Sequence, residues 1–252
     1  MPPTTVVIVM AMKAEAMPLI AALDLKPLEI AEYEPFGAAA FRATVSPAGH
    51  AAGPSIDVIL VHLGTCDRFA VDNIGTQPAT LLTYLAIQRF RPGLVLSAGT
   101  CGGFVRRGAA IGTVYVSHNK IIFHDRRIAI PGFDSYGLGS YPPAQLAAHA
   151  THLGLELGVI SSGNALDLPA ADEAIMDAHH AVAKDMEAAA VAWVCERLKT
   201  PMGAVKAVTD LVDSGRPTAD EFLDNLHRAA QALSRAMVGL LGCIAQRDAR
   251  PS

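Results

Sequence analysis

Charge is scarce in this 252-residue sequence, and its balance is slightly acidic. Asp, Glu, Lys and Arg make up 17% of the chain with a formal net charge of −4, so neither nucleic acid nor an anionic membrane is expected as the main partner. Basic residues are scattered, apart from Arg106 beside Arg107 and Arg126 beside Arg127. Cysteine is sparse too. Cys66, Cys101, Cys195 and Cys243 lie far apart, with no C-x-x-C and no histidine at zinc-ligand spacing. They read as reduced thiols of a cytosolic protein, mostly buried as small hydrophobes. H-E-x-x-H and EF-hand patterns are missing, and no G-K-[ST] follows the glycines of "GTCGGF". Neither a metal nor a cofactor is therefore expected. Long hydrophobic runs are also lacking. The apolar opening is too short to span a membrane and has no basic region before it. Near the other end, "AAQALSRAMVGLLGCIAQ" is broken by Gln231 and Arg235, as in an amphipathic helix. No targeting segment is visible, which points to the cytoplasm. Repeats, low-complexity stretches and linkers are absent, so a single domain over 1–252 is expected, with loose ends at 1–4 and 248–252.

What the chain does have is apolar side chains, 51% of its residues, enough for a large core. They fall in short runs at 6–11, 56–63, 93–99, 111–117, 157–162 and 202–209, near-continuous in Val, Ile and Leu. Such runs suit strands covered on both faces. Between them lie helical patterns at 13–23, 78–90, 169–182 and 187–199, and a long final one. This alternation predicts an α/β fold with a parallel or mixed sheet flanked by helices. The final helix is expected to open on a capping box, Thr218 with Glu221, after Pro217. Residues 124–143, rich in Gly, Pro and aromatics, form the longest irregular stretch, and loops of that length are usually functional or mobile.

Polar groups gather where strands end. Glu15 follows the first strand, Thr100 the strand at 93–99, and Asp210 closes the last. In "AKDMEAAAVAW", Glu187 stands at the threshold of a small-residue helix. As a single feature it reads as a helix cap, the commoner role for such an acid; Glu15 alone reads as a solvated first-turn acid, and Asp210 as a turn residue beside Asp213. Together, three acids and a hydroxyl at the carboxyl ends of strands form a site-like arrangement. Cleaving a glycosidic bond requires acids in opposed protonation states, one to protonate the leaving group and one to activate water. A third can accept hydrogen bonds from sugar hydroxyls. Composition alone does not select this chemistry.

At these residues the sequence resembles the 5′-methylthioadenosine nucleosidases of the purine nucleoside phosphorylase superfamily, nearly end to end. "VMAMKAEAMPL", "SAGTCGGF", "KDMEAAAVAWV" and "KAVTDLVD" follow the family's motif order, and "FHDRRIAIPGFDSYG", "SSGNALDL" and "DLVDSGRPTADEFL" resemble its plant-type branch. The resemblance implies a nucleoside phosphorylase-like fold, a small nucleoside as substrate, a homodimer and a role in methionine salvage. Asp210 is then the general acid at adenine N7, and Glu15 the base holding the attacking water. Met186 packs beneath the ribose and Glu187 takes its 2′ and 3′ hydroxyls, kept ionised by the helix N-terminus behind it. Thr100, Gly102, Met12, Leu166 and Leu168 complete the substrate-binding set, the leucines giving the base an aliphatic wall.

Three departures bear on this set. Leu166 stands where bacterial members often have Phe, Asn164 replaces the acid of an S-G-D, and Ala219 replaces an aromatic near the 5′ pocket. Asn164 preserves a turn role but not one that needs charge. Alternatives are a phosphorylase, a hydrolase of another nucleoside such as a futalosine derivative, and a non-catalytic binding relative. Whether the substrate's 5′ substituent is methylthio alone or also the homocysteine tail of S-adenosylhomocysteine is open at this stage.

Overall fold

The apolar runs form strands because helices cover both of their faces. In the computed structural model, which describes residues 5–46 and 55–247, β1 (Thr5–Met10) leads into α1 (Lys13–Ala22). The strands β2 (Lys26–Leu28) and β3 (Ala39–Val45) then precede β4 (Ile56–His62). A small hairpin, β5 (Thr65–Cys66) with β6 (Val71–Asp72), is followed by α2 (Thr76–Phe90), β7 (Leu94–Gly103) and β8 (Val114–Phe123). The second half runs α3 (Asp134–Leu138), α4 (Ala147–His152), β9 (Glu156–Ser162), α5 (Ala170–Ala178) and β10 (Ala181–Asp185). It closes with α6 (Ala188–Arg197), β11 (Met202–Leu211) and the long α7 (Thr218–Arg247). The expected loose ends, 1–4 and 248–252, lie outside the described residues.

Among the described residues, nine strands form one mixed sheet in the order β10-β9-β8-β11-β7-β1-β4-β3-β2. β1 runs parallel to β4 and β7, and β7 parallel to β11, whereas β11 and β8 are antiparallel. Side chains alternate faces along a strand. Val7, Val9, Ile59 and Val61 therefore pack with α2 and α6. Val6, Ile8, Met10, Val58 and Leu60 pack on the opposite face with α1, α4 and α7. Each such side chain contributes about 1.5–3 kcal/mol when fully buried. None of the described helices is long and apolar enough to cross a membrane.

Two irregularities position the site. The end of β7 pairs antiparallel with β10, Gly102 opposite Lys184 and Gly103 opposite Ala183, so "GTCGG" and "AKDME" meet. In β11 the register against β7 slips between Val208 and Asp210; Thr209 is the extra residue, and such a bulge re-aims the side chain that follows.

The structure departs from the sequence reading at several places, among them the strand expected at 111–117, which runs Val114–Phe123, and α4, which was not expected. β7 does not stop at Gly99 but runs to Gly103, because β10 and β11 supply partners that glycine-rich sequence does not announce. The helix expected over 169–182 ends at Ala178; His180 has φ +56°, and the next residues form β10. The edge strands β2 and β3 were not expected, although "FRATV" in β3 alternates apolar and polar residues, with Phe41, Ala43 and Val45 packed on the core. The Thr218–Glu221 capping box is also absent in the expected form. Thr218 is already the first helical residue, and the buried Glu221 carboxylate accepts the N–H of Leu211 (2.8 Å).

The hairpin starts at Gly64, whose φ is +91° and whose added Cβ would lie 2.5 Å from the Gly37 carbonyl group. Replacing Gly64 with Ala is expected to cost about 1–3 kcal/mol of stability, measured by urea unfolding. A loss below about 0.5 kcal/mol would contradict this packing.

Candidate active site

The carboxyl ends of β1, β7, β10 and β11 open into a cleft of roughly 680 Å³, roofed by the hairpin and by Phe222 of α7. Met12, Glu15, Thr100, Leu166, Met186, Glu187 and Asp210 all line it. Seven of the nine residues expected from the sequence thus meet in one place. Gly102 and Leu168 do not line it. Leu168 packs instead with Phe104, Ile122 and Met176 in a satellite cluster. Gly102 serves by what it lacks: an added Cβ would sit 2.9 Å from Asp210 Oδ2 and 2.5 Å from Val212. The glycine therefore makes room for the Asp210 carboxylate.

Glu15 is buried in the first turn of α1. Its Oε1 accepts both the N–H (2.7 Å) and the hydroxyl (2.6 Å) of Thr100, while Oε2 accepts the N–H of Met12 (3.2 Å). The carboxylate is thereby fixed with acceptor capacity left on Oε2. A Cβ on Gly99 would press within 3.4 Å of both Glu15 oxygens and of Lys206 Nζ, so this glycine too clears space for charge.

Glu187 occupies the N-cap position of α6, yet its carboxylate makes no capping bond. Asp185 does that work, accepting the N–H groups of Ala188 (2.9 Å) and Glu187 (3.3 Å), and Ser162 takes that of Ala189 (2.8 Å). Glu187 Oε1 instead accepts the N–H of Gly75 (2.9 Å), at the start of α2. The simple cap reading fails on this geometry. So does the expectation that the helix end holds Glu187 ionised: burial pushes its carboxyl up to about 7, against the pull of Lys206 and the Gly75 N–H.

Lys206 was not expected at all, although a lysine within the apolar run "MGAVKAVT" is a visible signal. Its ammonium is fully buried, 2.7 Å from Asp185 and 3.9 Å from Glu187. Burial alone would favour the neutral amine. Asp185, Glu187 and then Glu15 override it and hold the group above its ordinary value, as a cation.

Asp210 is shifted upward too, but toward its neutral form. Burial raises its carboxyl, opposed by the Thr209 hydroxyl at 2.8 Å and by Lys184. An acid whose proton affinity is raised in a cleft is a candidate donor. Lys184 itself is engaged, donating to the carbonyls of Ala165 (2.7 Å) and Leu166 (2.9 Å), which fixes the segment carrying the exposed Leu166. Asn164 bonds to Asp125 through its backbone and side-chain N–H groups, and its Oδ1 accepts from Thr76. The turn role compatible with an amide is therefore present.

Arg126 and Arg127 lie outside the cleft. Arg127 pairs with Asp172, and Arg126 stands over the rings of Phe123 and Tyr136 at 4.5 and 5.1 Å. Sequence reasoning missed Val71, Ile74 and Phe222, apolar walls with no distinguishing pattern around them, and Asp72 beside them. Among the described residues, no group of three or more His, Cys, Asp and Glu side chains is arranged to hold a metal ion.

A mixed α/β sheet with buried carboxylates fixed at its strand ends around one cleft fits a class of glycoside-cleaving, nucleoside-handling proteins. Comparison with known proteins narrows the class. The model of the phosphorylase superfamily matches residues 5–242. The chain is 38% identical to the 5′-methylthioadenosine nucleosidase of Arabidopsis thaliana over 98% of this chain and 90% of that one. Its identity to the 5′-methylthioadenosine/S-adenosylhomocysteine nucleosidase of the same plant is 36%, over 96% and 92%. The apo structure of the Arabidopsis 5′-methylthioadenosine nucleosidase superimposes with a TM-score of 0.90 at 38% identity, covering 97% of each chain. Futalosine hydrolase of Helicobacter pylori shares the fold at 21% identity, with a TM-score of 0.75. The chain belongs to the phosphorylase superfamily and, within it, to the 5′-methylthioadenosine nucleosidase family.

The Lys206–Asp185 pair is fully buried, so removing one partner leaves an uncompensated charge. Asp185→Asn is expected to lower stability by about 3–5 kcal/mol in urea unfolding. A change under about 1 kcal/mol would show that Glu187 alone suffices for Lys206.

Proposed function

We propose that this protein hydrolyses the N-glycosidic bond of 5′-methylthioadenosine, releasing adenine and 5-methylthioribose. The observation that carries the proposal is the convergence of Glu15, Glu187 and Asp210 on one cleft, each carboxylate fixed by different partners. Asp210 delivers its proton to adenine N7, making the base a neutral leaving group. Glu15 accepts a proton from water as the water oxygen bonds to C1′ and the C1′–N9 bond breaks. In the ionised form that Lys206 favours, Glu187 accepts the 2′ and 3′ hydroxyls, with that ammonium behind it compensating the charge. Met186 underlies the ribose, Thr100 orients Glu15, and Leu166 and Met12 pack against the substrate. The free sugar keeps its methylthio group, which suits methionine salvage in the cytoplasm.

A homodimer fits the same reading. Ile130 and Phe133 are exposed on the loop that follows β8, and Val71 and Leu166 are exposed at the rim of the cleft. A partner's loop near Pro131 and Phe133 would cover the 5′ end of the substrate. Phosphorolysis is disfavoured, because an incoming phosphate would meet the fixed carboxylate of Glu15 where the nucleophile must stand. The expected products are therefore adenine and the free sugar at the same rate with or without phosphate. Appearance of a sugar 1-phosphate by mass spectrometry would refute hydrolysis.

Asp210→Asn retains a hydrogen-bonding group but cannot protonate N7. We expect kcat to fall by about 10²–10⁴-fold with KM little changed, read from steady-state release of adenine. Activity within a few-fold of wild type would remove Asp210 from this role.

The 5′ end meets Val71, Ile74 and Phe222, with the Asp72 carboxylate beside them and no arginine among the described lining residues. Lys184, which also lines the cleft, is already bonded to the carbonyls of Ala165 and Leu166, so the carboxylate of a homocysteine tail would be desolvated there without a free cation. A kcat/KM for 5′-methylthioadenosine at least about tenfold above that for S-adenosylhomocysteine is expected. Equal values would show that the tail finds a charged partner elsewhere.

A further inference from the structure

The buried carboxylate of Glu221 is not used by the reaction as described, nor does it cap its helix as its sequence context suggests. It reaches from the first turn of α7 to the end of β11, where Oε2 accepts the N–H of Leu211 at 2.8 Å. Leu211 is the residue directly after Asp210, so this bond fixes the peptide plane on which the Asp210 side chain hinges. On its other side Asp210 is held by the bulge at Thr209 and the Thr209 hydroxyl. The loop beyond is clamped as well: Asp213 accepts the N–H groups of Val105 (2.6 Å) and Arg106 (3.2 Å). The next residue of α7, Phe222, lines the cleft. Glu221 thus joins the acid, its strand and an apolar wall of the site.

We propose that Glu221 is a positioning residue for the bond-breaking step: it anchors the peptide unit after Asp210 and sets a buried negative charge behind that acid. This rests on the reading of Asp210 as the proton donor. Among the described residues, the titratable groups bearing on Asp210 are Lys184 of β10, Cys101 of β7 and Glu221 of α7. Lys184 favours the ionised acid, whereas Glu221 favours the protonated one. Glu221 has one cationic neighbour of its own, Arg216 at 3.4 Å, which is largely exposed and weakened by solvent.

The sign follows from the chemistry. A proton donor works below its pKa, so kcat/KM falls as pH rises through the Asp210 value. Taking away the negative charge of Glu221 lets Asp210 ionise more easily and brings that fall to lower pH.

The test is Glu221→Gln, which retains a carbonyl oxygen for the Leu211 N–H but loses the charge. Expected are a folded protein, KM near wild type, kcat at neutral pH reduced by about tenfold, and the alkaline limb of kcat/KM moved to lower pH. A folded variant with an unmoved alkaline limb overturns the proposal, whatever its kcat, since a purely structural defect leaves that limb in place. Should the variant fail to fold, Glu221→Asp gives a second test: it keeps the charge but shortens the reach to the Leu211 N–H, so kcat must fall several-fold with KM near wild type, and a wild-type kcat overturns the proposal. Asp210→Asn, assayed alongside, separates the two ideas. If it stays active, the assignment of Asp210 itself fails; if it is inactive while Glu221→Gln matches wild type, only Glu221 loses its role.

Discussion

The site depends on one buried ammonium. Lys206 lies inside the sheet, bonded to Asp185 and near Glu187 and Glu15, with Gly99 leaving room for it. Three carboxylates that close together would repel one another and take up protons. The central cation offsets that repulsion and lets them remain beside an apolar core. Asp185 then spends its other oxygen contacts on the amides at the start of α6 and on the hydroxyl of Ser162. Because Asp185 performs the cap, Glu187 is released to face the cleft, where its carboxylate accepts the Gly75 N–H and lies 3.9 Å from Lys206. Structural and chemical charges are thereby divided between neighbours two residues apart.

The backbone brings these groups together by breaking the regularity of the sheet. β7 bends over to pair with β10, and β11 carries an extra residue just before Asp210. Both features rest on small residues. Gly99 faces Glu15 and Lys206, Gly102 faces Asp210, and Gly103 would bring a Cβ within 3.0 Å of Val208 and 2.7 Å of Ala109. A ligand-cradling loop and a set of clearances for acids look the same in sequence. Here the clearances are what the geometry displays.

Much of this was legible beforehand, for a physical reason. Strands covered on both faces must be continuously apolar, so β1, β4, β7, β9 and β11 stand out in the text. Acids at the ends of such runs are costly to bury, so Glu15, Glu187 and Asp210 stand out too. Other features leave no local trace. β10 borrows its strand character from β9 and β7 across the sheet, and the exposed His180 with positive φ is the only mark of its start. Whether Glu221 caps its own helix or reaches to Leu211 depends on where α7 lies against β11, which spacing does not encode. Leu166 and Leu168 look equivalent in "NALDL", yet one reaches the cleft and the other a separate cluster. Lys206 was visible as a charge in an apolar strand, and its partners only become apparent once the strands are assembled.

The central claim is that Glu187 is held by Lys206 and Asp185 to grip a sugar diol, not to end a helix. A double cycle tests it directly: wild type and Glu187→Gln, each assayed on 5′-methylthioadenosine and on its 2′-deoxy analogue. The account predicts that the mutation and the missing hydroxyl are coupled by about 1.5–3 kcal/mol in kcat/KM, the worth of a hydrogen bond to a charged acceptor. Additive effects would contradict it and require another partner for the ribose.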